Sequence, residues 1–193
     1  MARVHWLASK WLEGGRNVDM LSKLRSCAGS AVIVGSLVGA VLQCPTAAAE
    51  PWCTTDSISL STSAPASPGD QSQIHFNVVF TNTSSQACML QGYPGVDLIG
   101  SDDPMWGPDY QLPQQAGDPQ PVTLAPGSVA ISRLTFLADP NGWVPSTIAV
   151  TLPDAPGRLE TPWLVGGVPL ARQDGATHPG TYIGPLRPAD AAE

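Results

Sequence analysis

The side chains that could do chemistry are few. From Glu50 onward the chain offers two histidines, His75 and His178, and two cysteines, Cys53 and Cys88. A hydrolytic triad needs a nucleophile, an imidazole and an acid converging, yet neither histidine accompanies a nucleophile-elbow pattern and no Gly-x-Ser-x-Gly occurs. His75 alternates out of an apolar strand face and His178 stands between Thr177 and Pro179 in a loop, so both read as solvated side chains. Paired carboxylates for glycoside hydrolysis, or oxygen ligands for calcium, could be drawn from Asp97, Asp102, Asp103 and Asp109. Their spacing fits no Asp-x-Asp-x-Asp-Gly loop, and a solvated acidic loop is the expectation. With no Cys-x-x-Cys, no metal site and no cofactor are expected. The chain reads as a non-enzyme.

The aromatic side chains point to binding instead. Trp52, Trp106, Trp143 and Trp163 all fall near Pro or Gly at strand ends and in loops, and Tyr110 follows Trp106 closely. An indole face beside a carboxylate or amide can cover the C–H patch of a sugar while the polar group bonds its hydroxyls. Trp106, Tyr110, Trp143 and Asp109 are therefore the candidate ligand-binding set. The competing expectation is that these rings plug the ends of a β core. Asn82-Thr83-Ser84 matches a glycosylation acceptor but reads as a turn.

The charge distribution narrows the partners. The formal net charge is -7, but residues 1 to 49 hold five of the nine basic groups, and from Glu50 onward 4 Arg and no Lys face 14 acids, a formal -10. Such a surface repels phosphate backbones and anionic headgroups, which excludes nucleic acid. The basic front end reads as an export signal: Lys23 and Arg25 precede the apolar run Ala28 to Leu42, and Ala47, Ala48 and Ala49 supply a small-x-small cleavage pattern. The run spans 15 residues with three Gly and two Ser, too short for a stable membrane span. Residues 1–19 are expected as an extension upstream of Met20, residues 20–49 as a Sec signal peptide cut after Ala49, residues 50–187 as the folded domain and residues 188–193 as a disordered tail. Cys44 is a poor lipid-attachment site because Gln43 stands where a small residue is wanted. Secreted or envelope-associated localisation follows.

Export would leave Cys53 and Cys88 as one possible pair in an oxidising compartment. Their bond would close a loop of 34 intervening residues. In the chain-entropy picture that is worth roughly 3 to 4 kcal/mol, and the bond would staple the N-terminus to the third strand.

The elements that must position these residues are written in period two. Ile58 and Leu60 begin a short strand; Ile74, Phe76, Val78 and Phe80 then line one face while His75, Asn77 and Thr81 point the other way. Asn82 to Ser85 turn the chain, Cys88 to Gln91 continue it, and Val96 and Leu98 resume after Gly92-Tyr93-Pro94-Gly95. Val122 and Leu124 lead into the Ala125-Pro126-Gly127 turn, and Val129 to Leu137 forms a long strand closed by Asp139-Pro140-Asn141-Gly142. Ile148, Val150 and Leu152 make the next strand, Trp163 to Val165 a possible one, and Tyr182 and Ile183 the last. Ser61 to Gln71 and Asp102 to Pro121 read as long loops. Seven or eight short strands predict an all-β, immunoglobulin-like antiparallel sandwich with one disulfide. The region is about 23% Pro plus Gly, but its alternating apolar sets supply the buried material that a disordered chain lacks.

Cys53, the strand ending Phe80-Thr81-Asn82-Thr83-Ser84, the block Cys88-x-Leu90-x-Gly92-Tyr93-Pro94-Gly95-Val96 and the later Val122-Thr123-Leu124-Ala125-Pro126-Gly127 together resemble the exported actinobacterial family catalogued as domain of unknown function 4232. The similarity covers about Cys53 to Leu152. It implies a secreted or lipid-anchored envelope domain of mycobacteria and their relatives, and carries over no activity and no catalytic residue. The expected function is surface recognition of an unidentified protein partner, with an envelope polysaccharide as the alternative ligand and a small secreted hydrolase as the third class.

Overall fold

The structure, a computed structural model, describes residues 49–67, 73–164 and 167–191, all within one compact unit, Thr46–Glu193. The expected upstream extension and most of the signal peptide lie outside the described residues. The period-two alternation becomes β1 (Ile58–Thr62) and β2 (Gln73–Asn82), in which Phe76, Val78, Phe80 and Asn82 are buried on one face. They are followed by β3 (Cys88–Leu90), β4 (Gly95–Gly100), β5 (Asp109–Gln111), β6 (Val122–Leu124) and β7 (Val129–Trp143). Then come β8 (Pro145–Thr151), β9 (Leu159–Pro162), β10 (Tyr182–Ile183) and β11 (Arg187–Pro188).

Three antiparallel sheets result. One runs β1-β2-β7-β10 with β11 also on β7, one is the pair β3-β6, and one runs β5-β4-β8-β9. Their apolar faces meet in a single core: Phe76 and Phe136 from the first sheet pack edge-on against Trp163, which follows β9 of the third, with centroids 5.6 and 5.2 Å away. Rings in this arrangement contribute beyond the area they bury. The described residues are all-β with one disulfide, consistent with the immunoglobulin-like sandwich.

Cys53 and Cys88 are bonded, both buried, with the first cysteine held beside β3 by Cys53 N donating to Met89 O at 3.0 Å. The staple therefore joins the N-terminal segment to the third strand, as expected. Next to it, Asn82 is fully buried: its Nδ2 donates to Gln86 O (2.8 Å) and Leu124 O (2.9 Å), and its Oδ1 accepts from the Ser84 amide (2.9 Å) and hydroxyl (2.8 Å). That is the expected turn, and it uses the amide a glycan would need.

Several expectations are corrected. There are eleven strands in the described residues, more than seven or eight, because short strands such as β5, β9 and β11 pair where no alternation is long enough to read. Asp139-Gly142 does not close the long strand: β7 continues to Trp143 because Leu170 bridges both Ala138 and Trp143, giving those backbone groups partners. Of the possible strand Trp163 to Val165, Trp163 and Leu164 are not strand and Val165 lies outside the described residues; β9 ends at Pro162 and Trp163 turns into the core, its Nε1 donating to Val168 O at 2.9 Å. Pro188, placed at the start of a disordered tail, pairs with Ala130 at the β7 edge, and a 3-10 turn, Ala189–Ala191, follows.

Candidate functional site

The segment 101–108, between β4 and β5, projects Met105 and Trp106, 76% and 48% exposed. The tip is fixed by its own backbone and one aspartate. Asp103 Oδ1 accepts the amides of Met105 (2.9 Å) and Trp106 (3.0 Å), an Asx turn. Gly107 N donates to Asp103 O at 2.8 Å, and the Gly100 amide donates to Pro108 O at 3.0 Å to close the hairpin base. Gly107 has φ +73, the left-handed region that disfavours a Cβ, so the glycine serves the turn.

Arg172 locks this tip from the chain that follows Leu170. Its Nη1 donates to Gly107 O (2.6 Å), and its Nη2 donates to Asp109 O (2.7 Å) and more weakly to Trp106 O (3.3 Å). Nε and Nη2 grip the two carboxylate oxygens of Asp174 at 2.9 and 2.8 Å, the bidentate geometry that suits guanidinium. The guanidinium carbon stands 5.3 Å from the Tyr110 ring centroid and 4.8 Å from that of Trp143, within cation–π range. Its side chain is only 5% exposed. The hydrogen bonds that the guanidinium donates to Asp174 raise its pKa further, so the cation is permanent. Trp143 completes the base of the hairpin: its Nε1 donates to Ser101 O at 2.8 Å and its ring lies so close to Gly100 that a Cβ there would stand 2.6 Å from Cζ2.

The four residues expected as a binding set are thus gathered around Arg172, but in different roles. Trp106 is exposed and Asp109 turns its side chain to solvent while its carbonyl binds Arg172. Trp143 is half-buried against the core. Tyr110 is a correction: it is 2% exposed and offers no ring face, because β5 pairs Tyr110 with Leu98 and the alternation sends both side chains inward. Its hydroxyl is buried without a close hydrogen-bond partner. Burial pushes the phenol pKa up, an effect only partly offset by the Gln173 backbone and the Thr181 side chain. Of the other tryptophans, Trp52 is 42% exposed, whereas Trp163 is the ring that fills the core.

A cleft of about 420 Å³ adjoins the tip, lined by 109–113 on one side and by Gln173, Asp174 and neighbours on the other. No Lys or Arg occurs in 95–112 or in 139–150, and Asp102 and Asp109 are exposed at the tip. The one cation here, Arg172, faces inward. Among the described residues no group of three His, Cys, Asp or Glu is placed to hold a metal ion, and no helix is long and apolar enough to cross a membrane. Asp97 is drawn toward Arg158 at 3.9 Å rather than toward the tip acids. His178 contacts Thr177 Oγ1 at 3.2 Å, and His75 is half-buried in β2 opposite Thr135.

Arg172 is the residue that reading the sequence missed. Its signal was slight: Arg172 is the one Lys or Arg between Arg158 and Arg187, with Asp174 two residues on, and a charge that becomes buried needs such a partner.

Comparison with curated proteins and with solved structures returned no match. Residues 53–181 match the family described as Domain of unknown function (DUF4232), a span that takes in the disulfide, the Trp106 tip and Arg172, and the chain belongs to that family.

Proposed function

We propose that this protein is an exported, non-enzymatic β-sandwich of the actinobacterial cell envelope or extracellular space that acts by surface recognition through the Met105–Trp106 tip. The observation that carries the reading is the combination of exposure and rigidity: two large apolar side chains stand in water on a turn held by Asp103 and Arg172. An apolar pair displayed on an immobilised turn loses little entropy on binding, which is how interface anchors gain affinity. Export is supported by the basic, apolar and small-residue order of residues 20–49 and by a buried disulfide, a bond that persists in oxidising compartments. The second reading, an envelope polysaccharide ligand, keeps Trp106 beside Asp109 but loses Tyr110 to the core.

The test is capture from a native envelope fraction by immobilised wild-type protein and by Trp106→Ala, with arabinan and mannan as competitors. Recognition through the tip predicts a ligand retained by wild type and lost with Trp106→Ala; competition by the polysaccharides would select the second reading. Equal capture by both proteins would overturn the role of the tip.

A further inference from the structure

We infer that the tip and its adjoining cleft dock a basic segment of a protein partner, with apolar partner atoms covering Met105 and Trp106 and an arginine or lysine side chain set against Asp109 and Gln111. This rests on the tip being a recognition surface and adds the chemistry of what it recognises. Charge complementarity carries the argument. The exposed polar side chains lining the cleft beside the tip are Asp109 and Gln111, and the tip adds Asp102, whereas Asp174 is held by Arg172 and Gln173 Oε1 already accepts the Gly180 and Thr181 amides. Carboxylate and amide oxygens accept hydrogen bonds from ammonium or guanidinium groups. The guanidinium that could have answered an anionic ligand is spent internally on Gly107, Asp109 and Asp174.

Other partners fit less well. An anionic peptide, nucleic acid or acidic bilayer meets uncompensated Asp102 and Asp109 and no exposed cation in 95–112. A neutral glycan gains from stacked rings, and Trp143 and Tyr110 are withdrawn from that use. A basic segment uses both features: its cations face the carboxylates, and the Trp106 face accepts a guanidinium or an alkyl stem.

The probe is fluorescently labelled nona-arginine, titrated with the folded exported protein and followed by anisotropy. Wild type is expected to bind saturably, and Trp106→Ala and Asp109→Asn are each expected to weaken binding about tenfold, with Trp106→Phe retaining most of it. The remote pair Asp56→Asn and Asp190→Asn, on the two 3-10 turns and outside the tip and the cleft lining, removes more charge and is expected to change affinity less than about twofold, since it removes no contact to the probe and exposed charges are screened by salt. If the remote pair weakens binding as much as Asp109→Asn, or if Trp106→Ala binds nona-arginine like wild type, the attraction is general and the inference fails. If Trp106→Ala also leaves envelope capture intact, the recognition reading fails with it. Loss of capture alongside an unaffected nona-arginine titration overturns only the basic partner.

Discussion

Replacing Arg172 by alanine removes the side chain that ties the Met105–Trp106 tip to the domain, and its effect can be worked from the geometry. The substitution leaves the Gly107 and Asp109 carbonyls without their 2.6 and 2.7 Å donors and strips Asp174 of its bidentate partner. Removing one member of a buried ion pair costs about 3 to 5 kcal/mol, and an unsatisfied buried acceptor about 1 to 3. Asp174 is 20% exposed and the vacated space admits water, so the contributions do not add in full. The expected loss is about 2 to 4 kcal/mol, which a domain of ordinary stability survives at room temperature. For a domain of this size that lowers the melting midpoint by roughly 8 to 15 °C. Denaturant titration gives the free energy, and amide exchange gives the location: the Gly107 and Trp106 amides should exchange faster than those of β2. Arg172→Lys keeps the charge but not the planar fork, and should recover less than half of the loss. A free-energy change below about 0.5 kcal/mol, with tip amides as protected as in wild type, would refute the assignment of Arg172 as the clamp.

Four further outcomes follow from the same geometry. Serine at both Cys53 and Cys88 should cost about 3 to 4 kcal/mol in denaturant titrations, the loop-closure value for a sequence separation of 35. Asn82→Ala strands the carbonyls of Gln86 and Leu124 and the donors of Ser84; a loss of about 2 to 4 kcal/mol is expected, and a near-neutral melt would show that water replaces the amide. Tyr110→Phe should be within about 1 kcal/mol of wild type at neutral pH, since the hydroxyl has no close partner. Its signature is alkaline: the unfolded chain ionises Tyr110 near pH 10. The folded phenol holds its proton to higher pH, so wild-type stability is full below the unfolded pKa and falls as pH rises through the folded one. The phenylalanine variant should lack that part of the decline, and parallel pH profiles would contradict it. Gly100→Ala should displace the Trp143 ring, visible as a change in tryptophan emission with a destabilisation of about 1 to 3 kcal/mol.

The parts of the fold legible in the sequence are those where one residue's type sufficed. Ile74 to Phe80 alternates cleanly because β2 is buried on one face only, and the two cysteines from Glu50 onward allow a single pairing with each other. The parts that were not legible depend on partners far away in the chain. Residues 139–142 have turn composition, yet Leu170 bridges Ala138 and Trp143 on either side of them. Tyr110 sits among Pro, Gly and Asp and looked like loop until β4 claimed it at Leu98. Trp106, Asp109, Tyr110 and Trp143 lie around Arg172, but sorting exposed Trp106 from buried Tyr110 required the register of a three-residue strand. Arg172 lies 63 residues or more from the carbonyls it binds, a separation no local pattern reports.

The central claim is that a partner covers Met105 and Trp106, and contact can be read directly by placing a photo-crosslinking residue at position 105 and, as control, at Thr123 on the exposed face of β6. Irradiation in the native envelope fraction should give one discrete adduct from position 105 that is absent from position 123 and lost when Trp106 is alanine. Adducts of the same size from both positions, or from position 105 irrespective of Trp106, would contradict it.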